Sequence, residues 1–240
     1  RLKEQNPGST VGILTMGPPR AGEIIRQGLY RGADTGWLLT DRLFAGADTL
    51  ATSYALATGI QKIGDVDIVI GGRQAIDGDT AQVGPQVAEK LALPQVTYAE
   101  EIQGCDGKIV TIKRRLERGI EVATCPMPCV VTVNGSAAPC RPRNARFVMK
   151  YKNAKGTQEA QDANEDYFAL VNERPYLKLT EWSVNDIQSN PEDLGLSGSP
   201  TKVKNIESVV FQAKEAKVLS GTDAELDAMM KELITNHTIG

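Results

Sequence analysis

From Thr10 to Leu91 short apolar runs alternate with longer stretches whose apolar residues recur every three or four positions. Thr10 to Thr15 (TVGILT), Gly36 to Thr40 (GWLLT) and Asp67 to Ile70 (DIVI) have the length and β-branched character of buried strands. After the first run, Ala21, Ile24, Ile25, Gly28 and Leu29 fall on one face of a helix that Gly32 closes. Asp48 is placed to cap a second helix from Thr49 to about Ile63, rich in Ala and Leu. A third carries Val83, Val87, Ala88 and Leu91 inward, with Asp79 and Gln82 at the spacing of a capping box. The order βαβαβα predicts an α/β fold: an open, mostly parallel sheet with helices on both faces and right-handed crossovers.

From Gln95 the period changes. Gln95 to Glu101, Lys108 to Lys113, Ile120 to Ala123 and Cys129 to Val133 read as short strands, with a hairpin at Asp106-Gly107 and a turn at Glu117-Arg118-Gly119. They predict antiparallel strands added at the sheet edge. Beyond Asn134 periodicity is lost. Arg141 to Lys155 holds six basic residues, Gln158 to Glu173 is polar and mostly acidic, and both are predicted to be exposed loops or arms. Order returns weakly at Tyr176 to Trp182. Val203 to Phe211 reads as a strand or an extended arm, and Thr222 to Ile234 as an amphipathic helix capped by Thr222 and Glu225. The organisation expected is an α/β domain over residues 1–133 and a loop-and-arm segment over 134–240.

Composition narrows the function. Among 240 residues 41% are apolar and 24% charged, and the net charge of −3 gives no global attraction to nucleic acid or anionic membranes. No apolar run approaches the roughly 18 residues of a membrane span. Cys105, Cys125, Cys129 and Cys140 form no CxxC pair, which suits a reducing compartment. The lone histidine, His237, excludes a histidine-rich metal site and leaves a Ser-His or Cys-His couple only a terminal residue to use. The opening Arg1-Leu2-Lys3-Glu4-Gln5 reads as the last turns of a helix stopped by Asn6-Pro7-Gly8, so the chain is expected to begin inside an element.

In an open parallel sheet, ligands bind beyond the C-terminal strand ends. Three loops leave such ends here: Thr15 to Pro19, Asp41 to Thr49 and Gly71 to Pro85, all rich in Gly, Thr and Asp. That composition lets a backbone approach a nucleotide closely; it is equally the composition of tight βα turns. The third loop is longer than the usual 2–6 residues of such a turn. In it, Asp77 and Asp79 suit ribose hydroxyls or backbone N–H groups. Thr80, Gln82 and Val83 suit phosphate, with Arg73 as counter-charge. There is no GxGxxG and no GxxxxGK[ST]. A carboxylate hydrolase built on Asp77 and Asp79 is a further possibility on these residues, although capping accounts for at least one of them.

The stretch Arg73-Gln74-Ala75-Ile76-Asp77-Gly78-Asp79-Thr80-Ala81-Gln82-Val83-Gly84-Pro85 resembles the nucleotide-binding segment of the beta (small) subunit of electron-transferring flavoproteins. Thr15-Met16-Gly17-Pro18, Arg31 to Asp34, Lys113 to Val133 with Pro126-Met127-Pro128, Leu194 to Lys202 and the last helix are also similar to that family, so the likeness covers most of the chain. The resemblance implies an adenine nucleotide alpha hydrolase-like fold and a larger alpha subunit as partner. It implies electron carriage between dehydrogenases and an acceptor, in the cytoplasm of a bacterium. It also implies AMP in the beta subunit of simpler members, or a second FAD that reacts with NADH in electron-bifurcating ones. Met16-Gly17-Pro18-Pro19, Gly46-Ala47-Asp48-Thr49-Leu50-Ala51-Thr52 and Gly78-Asp79-Thr80 are similar to the bifurcating type, which favours FAD.

The cofactor-binding residues implied are Met16, Gly17, Pro18, Asp48, Thr49, Thr52, Gly72, Arg73, Gln74, Asp77, Gly78, Asp79, Thr80, Gln82, Val83 and Gly84. None acts as acid, base or nucleophile, because the flavin carries the redox chemistry. Arg141, Arg143, Arg146, Met149 and Lys150 fall near the family's loop for docking partner dehydrogenases, and residues after 134 would embrace the alpha subunit. The family's first strand has no counterpart here, which would leave a raw edge in the sheet. A stand-alone adenine-nucleotide module resembling universal stress proteins is the competing reading, and it gives the segment after Asn134 no purpose.

Overall fold

The computed structural model describes residues 2–161, 165–204, 216 and 218–239. Residues 1–202 form one compact unit and 203–240 a second. The first runs α1 (Leu2–Gln5), β1 (Gly12–Met16), α2 (Gly22–Leu29), β2 (Thr35–Leu39), α3 (Thr49–Ile63), β3 (Ile68–Gly72), α4 (Val83–Lys90), β4 (Gln95–Cys105), β5 (Ile109–Leu116), β6 (Gly119–Pro126), β7 (Cys129–Val133), α5 (Ala145–Tyr151), α6 (Glu165–Glu173) and β8 (Thr180–Trp182). The second holds α7 (Asp223–Thr235). Of the segment Val203 to Phe211, expected as a strand or an extended arm, residues 205–211 lie outside the described residues.

The fold is α/β, as the period predicts, but its strands form two sheets. One is parallel, in the order β1-β2-β8. The other runs β3-β7-β4-β5-β6, with β3, β7 and β4 parallel and β5 and β6 added antiparallel. Among the described residues β1 and β3 are each paired on one side only. This is why the apolar run Asp67 to Ile70 is only half-covered, with Ile70 54% exposed. Helix α3 packs on β1 and against α4, and α4 packs on β7, so the two helices together link the sheets.

Helices cover both faces of the first sheet because β2 alternates. Leu38 is buried with Ile25, Leu29 and Tyr30 of the α2 side. Leu39 is buried with Ala55 of α3, next to Leu14 and Tyr54. In the second sheet Val96, Val110, Ile112, Cys125, Cys129 and Val131 share one core face. The hairpin at Asp106-Gly107 forms as expected: Asp106 Oδ1 accepts from the N–H groups of Lys108 and Ile109 at 2.8 and 2.7 Å. The strands on either side run longer than the apolar runs, because pairing continues through the polar ends of β4, β5 and β6.

The larger departure is after Asn134. Arg141 to Lys155 is not all loop: Asn144 caps α5, its Oδ1 accepting from Arg146 N at 2.9 Å. Gln158 to Glu173 contains α6, in which Tyr167 is buried. Tyr151, Ala154, Leu177 and Leu179 are scattered in the sequence, yet they converge on Ile25 and Leu38 in one cluster. Then β8 pairs in parallel with β2. Residues 134–202 therefore stay with the α/β body, and the segment that forms a separate unit begins at Val203. In that unit Glu225 reaches back to Ser220 N at 2.8 Å, closing the start of α7.

Candidate nucleotide site

The loop between β3 and α4 is exposed at Arg73, Asp77, Gly78, Asp79 and Thr80, and Gln74 is half-buried. Its shape is set by two side-chain bonds, a backbone bond from Asp79 N to Ala75 O at 3.1 Å, and two left-handed residues. Asp77 Oδ1 accepts from Gly78 N at 2.9 Å, and Gln74 Nε2 donates to Asp79 Oδ1. Asp79 (φ +51°) and Ala81 (φ +54°) sit in the region that Asp tolerates better than Ala. The predicted capping box is not made. Asp79 is held by Gln74, and α4 begins only at Val83, with Gln82 in the cap position and no side-chain cap bond. Pro85 has no N–H, so the donors at this helix start are those of Val83 and Gly84.

Gln82 turns instead to the other helix. Its Oε1 accepts from Thr49 Oγ1 at 3.0 Å, and Gln86 Nε2 donates to the same hydroxyl at 3.4 Å. The first turns of α3 and α4 are thereby joined at the C-terminal ends of the strands. Beneath them Gly84 rests on β7, and a Cβ there would lie 2.4 Å from Thr132 Cγ2. Thr132 is 3% exposed, and its Oγ1 accepts from Tyr98 N at 3.4 Å.

Asp48 caps α3 as predicted, its Oδ1 accepting from Leu50 N and Ala51 N at 2.9 and 3.1 Å. Its Oδ2 is held by Thr201, whose N and Oγ1 donate at 3.1 and 2.7 Å. Burial alone would raise the Asp48 pKa; the hydrogen bonds from Thr201, Ala51 and Leu50 outweigh it and hold the carboxyl below its ordinary 3.8. Thr52 is half-buried inside α3, its N–H bonded to Asp48 O at 2.9 Å. Met16, Gly17 and Pro18 close the end of the first sheet. Met16 packs beside Leu39 and Phe44, Gly17 N donates to Leu39 O at 3.0 Å, and Pro18 O accepts from Ala21 N at 2.7 Å.

The structure thus brings Thr49, Gln82, Val83 and Gly84 together. It leaves Arg73, Asp77 and Thr80 on an open loop and ties Met16 to Pro18 to the other sheet. Open space lies above Gly71 and Gly72. Two neighbours at the same strand ends escape sequence reading. Tyr98 sits at φ +59° in an irregularity of β4 between Val96 and Ala99, and Asn134 N bonds Ala99 O at 2.8 Å. A bulge of this kind has no residue signature in a tyrosine-bearing strand.

Of the residues expected to dock a partner, Arg141 is engaged within the chain. It donates to both carboxylate oxygens of Glu4 at 2.8 and 2.7 Å, and its carbonyl accepts from Arg31 Nε at 3.0 Å. Arg143, Arg146, Met149 and Lys150 are exposed, with Lys150 Nζ 4.8 Å from the ring centres of both Tyr151 and Tyr176. A separate cavity of about 440 Å³ opens between α1 and β4, lined by Leu2, Gln5, Asn6 and Glu101 to Cys105; it holds none of the predicted residues. Among the described residues no cluster of His, Cys, Asp or Glu is placed to hold a metal ion, and no helix is long and apolar enough to cross a membrane.

Comparison with known proteins identifies the family. The sequence model of a family described as "Electron transfer flavoprotein domain" matches residues 1–165. The chain is 43% identical to the caffeyl-CoA reductase-Etf complex subunit CarD of Acetobacterium woodii over 202 residues, 84% of this chain and 68% of that one. It is 38% identical to the electron transfer flavoprotein subunit beta of Clostridium acetobutylicum over 229 residues, 95% of this chain and 76% of that one. With the FixA protein of Azorhizobium caulinodans it shares 37% identity over 242 residues, 97% of this chain and 77% of that one.

Proposed function

The chain belongs to the electron transfer flavoprotein family as a small, beta-type subunit, and from that premise we propose that it holds FAD, in preference to AMP, across the starts of α3 and α4. With an alpha subunit it passes electrons from NADH or partner dehydrogenases to an acceptor. The observation that carries this reading is the Thr49–Gln82 bond, which unites two helix starts over the strand ends. The uncapped donors of Val83 and Gly84 suit a phosphate, and the carboxylates of Asp77 and Asp79 suit ribose hydroxyls. Bound flavin would supply the electron chemistry, while these residues bind and orient it.

Three further parts belong to the same reading. Arg143, Arg146, Met149 and Lys150 form the docking surface for a partner dehydrogenase. Helix α7 exposes Leu226, Met230 and Ile234 at i, i+4 and i+8, a stripe suited to cover by the alpha subunit. A cytoplasmic location fits the free thiols of Cys105, Cys125, Cys129 and Cys140.

The test is an absorbance spectrum and nucleotide analysis of the full chain purified with its alpha subunit. Two FAD per heterodimer, bleached by NADH, is the expected result. One FAD with one AMP would move the function to simple electron carriage. A colourless chain that binds ATP and forms no complex would sink the proposal.

A further inference from the structure

Residues Leu194 to Thr201 are moulded onto the loop between β2 and α3. Leu194 is fully buried with Leu39, Phe44 and Ala55. Leu196 N donates to Ala45 O at 3.1 Å. Gly195 (φ +51°) approaches so closely that a Cβ would lie 2.1 Å from Leu43 O, which no other residue type could accept. Ser199 is 4% exposed with its hydroxyl used in both directions: it accepts from Asp48 N at 2.8 Å and donates to Gly195 O at 2.6 Å. Thr201 then closes on Asp48 Oδ2 through N and Oγ1. Lys202 is the last residue of the compact unit.

Asp48 therefore divides its two oxygens. One fixes the first turn of α3, whose Thr49 reaches Gln82; the other fixes the point where the chain leaves the α/β body. We propose that Asp48 is a positioning residue that couples occupancy of the site between α3 and α4 to the order of the exit segment at Ser199 to Lys204. This rests on the nucleotide reading above and adds to it a route by which a ligand bears on the segment that begins at Ser199. A ligand pressing on Thr49 or Gln82 shifts the start of α3, Asp48 moves with the backbone N–H groups it caps, and Thr201 follows. Linkage makes the effect reciprocal: fixing the exit segment tightens the ligand by the same factor.

Hydrogen exchange of peptides covering residues 199–204 tests this in the full chain complexed with its alpha subunit, stripped of nucleotide and titrated with FAD and with AMP. In the wild type either ligand is expected to slow exchange there by about fivefold or more, the lower end of usual coupling. Thr201→Val removes the hydroxyl and keeps the volume; it is expected to bind the same ligand while losing most of that slowing. Ser199→Ala serves as a second variant, with the same expectation should Thr201→Val fold poorly. Ligand binding with no change at 199–204 in the wild type, or an unaltered response in both variants, would overturn the coupling. Failure of the wild-type complex to take up either a second FAD or AMP beside the first FAD would overturn the nucleotide reading itself.

Discussion

The Arg26 guanidinium and the Glu159 carboxylate, 133 positions apart, meet in a two-point ion pair, with NH1 to Oε2 at 2.8 Å and NH2 to Oε1 at 3.0 Å. The same NH1 donates to Ala154 O at 2.8 Å, and Nε donates to Glu23 Oε2 at 2.8 Å. One side chain of α2 thus anchors both ends of the 154–159 turn, in a stretch whose polar composition alone predicts a free loop. The fork of an arginine is suited to this, since it presents several donors at once in a fixed plane.

Removing one partner leaves the other half-buried and charged, because the side chains of Arg26 and Glu159 are 12% and 20% exposed. Glu159→Gln is expected to destabilise the chain by roughly 1–2 kcal/mol, discounted for residual solvent screening. The carboxyl of Glu159 is held below its ordinary 4.5, first by the hydrogen bond from Arg26. A depressed folded pKa means that its stabilisation is present above that ordinary value and is lost as pH falls through the lower folded one. Urea midpoints of wild type and Glu159→Gln should therefore converge on acidification below the ordinary glutamate range. A constant difference down to acid pH would show that the pair contributes nothing through its charge.

Gly84→Ala tests the seating of α4. Alanine ordinarily favours a helix, but here its methyl would overlap Thr132 Cγ2. Thr132 is stiff at χ1 and buried, and rotating it would break the contact with Tyr98 N. A loss of about 1–3 kcal/mol is expected from overpacking, with weaker nucleotide retention. The double variant Gly84→Ala, Thr132→Ser removes the offending methyl and should recover much of the loss in calorimetric melting temperature. Failure of that rescue would place the cause outside this contact.

Strands and helices up to Val133 were legible because each carries its own local signal, whether an apolar run, a 3.6-residue period, an Asp cap or an Asp-Gly turn. What was not legible depends on distance in sequence. The halves of the strand system could not be separated by reading, since the run from Asp67 to Ile70 looks the same at an edge as in a sheet interior. The α2 core was hidden because Tyr151, Ala154, Leu177 and Leu179 are isolated among polar neighbours and gain meaning only against Ile25 and Leu38. In the candidate site, Thr49 and Gln82 each stand in a loop the sequence singles out, whereas their bond, and the grip of Asp48 on Thr201, arise from contacts 33 and 153 positions apart.

The tie between Glu4 and Arg141 should persist to unusually low pH. The hydrogen bond from Arg141, and then its charge, push the Glu4 pKa down to about 2 from 4.5. With the folded value depressed, the tie is complete above the ordinary glutamate range and lost only as pH falls through about 2. A carboxyl carbon NMR titration should follow Glu4 to that midpoint. Arg141→Gln should return it towards 4.5. A wild-type midpoint near the ordinary value would mean that the two side chains do not meet in solution.

The same tie divides the basic residues of the proposed docking surface into two kinds, and that division is measurable. Arg141 already has a carboxylate partner in Glu4, so its charge is largely compensated before any partner dehydrogenase arrives. Arg146 is exposed at the start of α5, and Met149 is 66% exposed one turn on. An exposed cation at an interface rim acts mainly on encounter, while a flexible apolar side chain acts on residence. Arg146→Glu should slow association of the complex with an acidic partner dehydrogenase by about tenfold at low salt, with the difference shrinking as ionic strength rises. Met149→Ala should leave association alone and speed dissociation several-fold, on the order of the 1 kcal/mol expected for a truncated contact. The double variant Glu4→Gln, Arg141→Gln, which leaves the local net charge unchanged, should change neither rate more than about twofold. Surface plasmon resonance at two salt concentrations separates these outcomes. If that double variant proved the most damaging of the three, the proposed docking surface would have to be moved from α5 to the segment before it.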